Sequence, residues 1–185
     1  FYDIAGLVKD AHKGEGLGNQ FLSHIREVNA VLQLIRCFKQ NDIIHVEGSV
    51  DPLRDFGIIK TELMLKDLET VERHLEKAEG DAKSGKKEFI DFRDALLEIK
   101  KWLEEGKFLN KIEGAYDLHK KIFKELNLLT TKPQLFLLNG EESSVPPELV
   151  TEIKEIGADY LTIDLVKASE IPALIQKAYQ ILNLI

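Results

Sequence analysis

Phe1-Tyr2-Asp3-Ile4-Ala5-Gly6 runs into Leu7-Val8-Lys9-Asp10-Ala11-His12-Lys13-Gly14-Glu15-Gly16-Leu17-Gly18-Asn19-Gln20. A short apolar strand meets Asp-x-x-Gly and then a glycine-rich loop. An aspartate at a strand end can face a hydrated Mg2+, and a glycine three residues on can turn its N–H toward a terminal phosphate. On spacing alone, an aspartate acting as a turn former is an equal reading.

Outward from this stretch, the pattern is strand alternating with helix. Asn19 to Val28 reads as a helix with Phe21, Leu22 and Ile25 on one face. Ala30 to Phe38 is a nearly unbroken apolar run, which suits a strand buried on both faces of a parallel sheet. Gln134–Leu138 and Tyr160–Leu165 are two more such strands, and helical patterns cover Pro147 to Ile156 and Ile171 to Leu182. Buried strands that alternate with helices define an α/β fold with a parallel sheet.

The middle of the chain follows another rule. Met64, Leu68, Val71, Leu75 and Ala78 repeat at heptad spacing, as do Phe89, Phe92, Leu96, Ile99 and Leu103. Glu62, Asp67, Glu69, Glu72, Arg73, Glu76 and Lys77 fill the other faces of the first series. A polar break, Glu79 to Lys87, separates the two, so they form an antiparallel helical hairpin. A third amphipathic helix, about Tyr116 to Leu126, follows. The expected organisation is an α/β domain of residues 1–57 and 128–185, interrupted by a helical coiled-coil insertion over 58–127.

Composition bounds the function. The 185 residues are 44% hydrophobic and 31% charged, which places them among globular rather than disordered chains. A net charge of −7 argues against a generic nucleic-acid surface and leaves room for a local basic patch. The single cysteine, Cys37, allows no internal disulfide, fits a reducing compartment and gives no disulfide-linked partner. It lies in an apolar run and reads as a buried structural thiol. No apolar run approaches the roughly 20 residues that span a bilayer, so no membrane partner is expected.

Asn139-Gly140-Glu141-Glu142 follows the strand Gln134–Leu138 directly. Guanine is read by Asn-Lys-x-Asp at such a strand end, with the Asp accepting two hydrogen bonds and the Lys lying along the base. Here Gly140 stands for the Lys and Glu142 for the Asp. Taken alone, the segment reads as an acidic turn before Pro146-Pro147.

Taken together, the pieces carry a resemblance. Asp3-Ile4-Ala5-Gly6-Leu7-Val8, Gly14-Glu15-Gly16-Leu17-Gly18-Asn19-Gln20-Phe21-Leu22, Ile25-Arg26-Glu27, Arg36-Cys37-Phe38 and Ile43-Ile44-His45-Val46-Glu47-Gly48-Ser49-Val50-Asp51-Pro52 closely resemble the YchF / Obg-like ATPase family. Thr61-Glu62-Leu63, Asp67-Leu68-Glu69-Thr70 and Lys132-Pro133 continue it. The resemblance implies a partial P-loop NTPase of Ras-like α/β fold. It implies that Asp3 reaches Mg2+ through water and that the Gly6 N–H meets the γ-phosphate. Asn139 and Glu142 match the family's Asn-x-x-Glu base-recognition motif, associated with ATP as well as GTP. Losing the guanine-reading Asp removes the basis of guanine selectivity.

Leu7 stands where Ras-like enzymes carry a water-orienting glutamine, and leucine has no group for that work. His45 is the candidate for placing the water, with a surface-loop histidine as the alternative. His12 and His24 are weaker candidates; His74 and His119 read as solvated helix positions.

The family's P-loop would precede Phe1 and its TGS domain would follow Ile185, so the chain is expected to be truncated at both ends. Asp10 replaces a glycine of the family pattern, and Leu165 to Ser169 gives no clean match to the base-contacting loop. The implied function is hydrolysis of ATP and/or GTP by a cytoplasmic, ribosome- or translation-associated protein, with this chain alone inactive. The alternative is a nucleotide-incompetent module that binds RNA or protein through the arm, with Lys83, Lys86 and Lys87 at its tip and Lys100 and Lys101 beside it.

Overall fold

The structure, a computed structural model, describes residues 25, 27–38, 49–113, 115, 117–165 and 171–183. The strand at 1–4, the glycine-rich loop, most of the Asn19 helix and the segment around His45 lie outside the described residues.

Three strands form a parallel sheet in the order β1 (Val31–Arg36), β2 (Gln134–Asn139), β3 (Asp159–Ile163). Val31 pairs with Gln134 and Arg36 with Asn139, while Leu135 pairs with Asp159 and Asn139 with Ile163. Parallel pairing requires long crossovers. Between β1 and β2 come α1 (Pro52–Ala82), α2 (Lys87–Glu104) and α3 (Asp117–Glu125); α4 (Pro147–Glu155) joins β2 to β3, and α5 (Ile171–Asn183) follows β3. The expected α/β class with a helical insertion is therefore present.

The described residues divide into two units. The first takes in Lys60–Lys132; the second takes in Asn29–Ile59 and the chain from Pro133 onward.

In the first unit, the heptad series becomes the core. Val71, Leu75 and Ala78 of α1 join Leu96, Ile99 and Leu103 of α2 and Ile122 of α3 in one buried cluster. Gly85 takes φ +75° in the turn between α1 and α2, a conformation that glycine adopts without penalty.

Asp67 and Glu62 depart from the outer-face expectation. Both are buried. The Asp67 carboxylate accepts the Leu129 N–H at 2.7 Å, the Thr130 N–H at 2.8 Å and the Thr130 hydroxyl at 2.7 Å. It satisfies the first donors of the short 3-10 helix Leu129–Thr131, as a capping carboxylate does. His119 also departs from its solvated reading. It is 3% exposed, its Nε2 lies 2.9 Å from Glu98 Oε2, and its ring meets Trp102 at 4.9 Å.

In the second unit, α1 begins at Pro52, whose missing N–H costs nothing in a first helical turn. Asp51 Oδ1 accepts the Arg54 N–H at 3.0 Å and caps that turn. Phe56 packs on Phe136 at 5.2 Å, while Leu149 and Ile153 of α4 are fully buried. β2 is buried along Gln134–Leu138, as a central strand should be. β1 is not buried on both faces: Gln33 and Ile35 are buried, but Leu32 and Leu34 are 37% and 56% exposed. The apolar run of β1 thus reads as two-faced burial, although only the face of Gln33 and Ile35 is covered.

Candidate nucleotide site

In an open parallel sheet, ligands bind beyond the carboxyl ends of the strands. Here that edge is made of Arg36–Phe38 after β1, Asn139–Glu142 after β2 and Ile163–Leu165 after β3. The three segments are tied by backbone bonds: Cys37 N–H donates to Asn139 O at 2.8 Å, and Gly140 N–H donates to Ile163 O at 3.0 Å.

Asn139 is half-buried at the end of β2. Its Oδ1 accepts the Leu165 N–H at 3.2 Å, so the carboxamide holds the segment after β3 and keeps its NH2 group as donor. Glu142 opens the 3-10 turn Glu142–Ser144 and is exposed, which presents an acceptor to solvent. Ser144 closes that turn: its N–H and its hydroxyl both donate to Glu141 O, at 2.9 and 2.6 Å.

Beside Asn139, Arg36 Nε donates to Phe38 O at 3.0 Å, and the guanidinium lies 4.6 Å from the Phe38 ring centroid. Beneath the loop, Cys37 is buried, and burial, with the Asp55 charge adding to it, pushes its thiol up to about 11. A thiol held protonated is no nucleophile at neutral pH. Its buried, structural reading therefore agrees with the structure.

Of the sequence-derived site residues, Asn139 and Glu142 fall on one loop at the sheet edge. Asp3, Gly6 and His45 lie outside the described residues. Among the described residues, no cluster of His, Cys, Asp or Glu could hold a metal ion. Sequence reasoning missed the supports: Ser144 and Cys37 lie on either side of Gly140. The glycine in place of the expected lysine was the one signal pointing to them.

The basic residues of the arm are unequal. Lys100 is 2.8 Å from Glu72 and 3.7 Å from Glu104, and hydrogen bonding to Glu72 raises its pKa. Lys101 pairs with Glu105 at 3.9 Å. Lys83, Lys86 and Lys87 are exposed at the turn between α1 and α2. No described helix is long and apolar enough to cross a membrane.

Comparison with known proteins names what this geometry suggests. No protein-family model matches. The chain is 41% identical over 162 residues to the ribosome-binding ATPase YchF of Bacillus subtilis, covering 85% of this chain and 44% of that protein. It is 47% identical over 150 residues to Obg-like ATPase 1 of Saccharomyces cerevisiae, covering 76% and 37%. The solved structure of the Schizosaccharomyces pombe YchF GTPase superposes with a TM-score of 0.65 at 27% identity, over 92% of this chain and 54% of that one. The chain thus spans less than half the length of these curated relatives. Its parallel sheet with helices between the strands is that of a P-loop NTPase. Within that class, the chain belongs to the YchF / Obg-like ATPase family.

Proposed function

We propose that this chain is the larger part of a nucleotide-binding domain that hydrolyses ATP and/or GTP in a cytoplasmic, ribosome-associated protein. The observation that carries the reading is the Asn139–Glu142 loop, held at the carboxyl edge of a parallel sheet by bonds to both neighbouring strands. An amide donor and a carboxylate acceptor complement the acceptor–donor edge of adenine, its N7 and N6 amino group.

In this reading, residues 1–57 and 128–185 form the nucleotide domain and 58–127 the helical insertion. Asp3 would face Mg2+, the ion that NTPases of this type generally use, to neutralise phosphate charge. Gly6 would meet the γ-phosphate and His45 would orient water. Ribosomal RNA or protein is the expected macromolecular partner, with Lys83, Lys86 and Lys87 the exposed cations available to it. Titration with ATP and with GTP in the presence of Mg2+ tests the proposal on the full-length protein. Saturable binding of ATP supports it; equal failure with both nucleotides overturns it.

A further inference from the structure

We infer that Gly140 is a specificity-determining residue of the base loop, because a side chain there is crowded by Cys37 and Ser144 where guanine-reading loops carry lysine. The inference rests on the nucleotide-binding reading above. The peptide before Gly140 is held from both sides: its Asn139 carbonyl accepts the Cys37 N–H at 2.8 Å, and its Gly140 N–H donates to Ile163 O at 3.0 Å. A Cβ at this position would lie 2.8 Å from Ser144 Oγ, 3.2 Å from the Cys37 carbonyl carbon and 3.3 Å from Cys37 Cβ.

These neighbours differ in how far they yield. The Ser144 hydroxyl can turn aside, but it then gives up Glu141 O at 2.6 Å. Cys37 is buried and tied to Asn139 by its own N–H, so it yields only if the loop lifts from β1. Gly140 also sits at φ +153°, where a side chain adds strain. Lifting the loop moves Glu142, two residues on at the start of the Glu142–Ser144 turn. With no aliphatic stem along the base face, recognition falls to the edge contacts of Asn139 and Glu142. Guanine preference therefore cannot be restored by rewriting the motif.

The test measures ATP and GTP affinity and the unfolding midpoint of the full-length protein and its variants. Gly140→Ala is expected to weaken ATP binding about tenfold. Adding Ser144→Ala, which removes the closest atom, is expected to recover part of that loss. Gly140→Lys with Glu142→Asp is expected to gain no preference for GTP. Gly140→Ala at wild-type affinity, or a GTP preference in the double variant, overturns the inference while leaving the nucleotide reading intact. A wild type that binds neither nucleotide overturns the proposed function, and this inference with it.

Discussion

Asp67, near the middle of a 31-residue helix, places both carboxylate oxygens on the strand-leading segment: Oδ1 on the Leu129 N–H and Oδ2 on the N–H and hydroxyl of Thr130. The carboxylate is fully buried, and so is Thr130. Removing it strands two N–H groups of fully buried residues. Asp67→Ala is expected to cost about 3 kcal/mol of stability. Asp67→Asn should lose less, because one acceptor oxygen survives. Urea denaturation of the three proteins orders them; an Asp67→Ala protein within 0.5 kcal/mol or so of wild type would contradict the role given to this carboxylate.

Two neighbours on α2 make a controlled pair. Leu96 is fully buried in the helical core, whereas Leu97 is 44% exposed. Leu96→Ala should destabilise by about 2–5 kcal/mol through lost transfer energy and a residual cavity. Leu97→Ala should change stability by about 0.5 kcal/mol at most. Chemical unfolding curves for the two variants check the assignment of the buried face.

Cys37 gives a pH signature. Its thiol is raised from an ordinary 9.0 to about 11 in the folded protein, mainly by burial. Above pH 9 the unfolded chain loses this proton while the folded chain keeps it, so the folded state binds more protons and stability falls with rising pH. The contribution is complete below pH 9 and is lost as pH climbs toward 11. Thiol labelling at pH 8 is expected to be slow in the native protein and fast in denaturant. Rapid native labelling would show that the thiol is not enclosed as described.

The carboxylate of Glu142 has its own test. If it accepts from the base, Glu142→Gln exchanges an ionised acceptor for a neutral amide and weakens a charge-assisted bond. Affinity for ATP is expected to drop about tenfold, with no change in unfolding midpoint because the side chain is exposed. Isothermal titration beside a thermal melt separates the two effects. An unchanged affinity would remove Glu142 from the site.

Much of this was legible from periodicity. Heptad spacing identified Leu75, Leu96, Ile99 and Leu103 as core, because a helical seam writes itself directly into sequence. The strand β2 and the helix from Pro147 were equally plain; β3 forms where expected but is not buried on both faces, with Asp159 exposed and only Ile163 buried. Asp67 and His119 were not legible, because a charged or polar side chain reads as solvent-facing until its partners are known. Those partners come from elsewhere in the chain: Asp67 meets Thr130, 63 positions on, and His119 meets Glu98. Leu32 and Leu34 failed for the opposite reason: apolar residues reveal what a strand could bury, not which face the fold covers. At the sheet edge, the place of Asn139 and Glu142 after β2 was legible, but by spacing alone they read as an acidic turn, and only the resemblance singled them out. The Cys37 and Ser144 buttress around Gly140 was not legible, because it exists only once β1 and β2 are paired.

That pairing has its own safeguard. Gln33 Nε2 donates to Gln134 Oε1 at 2.6 Å between two buried side chains of β1 and β2. Sliding β1 by one residue would turn Gln33 to the opposite face; sliding it by two so that Gln33 meets Leu138 instead of Phe136 would leave both amides facing hydrocarbon. Each buried amide deprived of its partner costs about 1–3 kcal/mol. An apolar pair at these positions would bury as much surface in any alignment and would discriminate among none. The two glutamines therefore act as a proofreading contact for strand alignment. What they check is whether Arg36 ends up opposite Asn139, and so whether the Asn139–Glu142 loop is assembled at all.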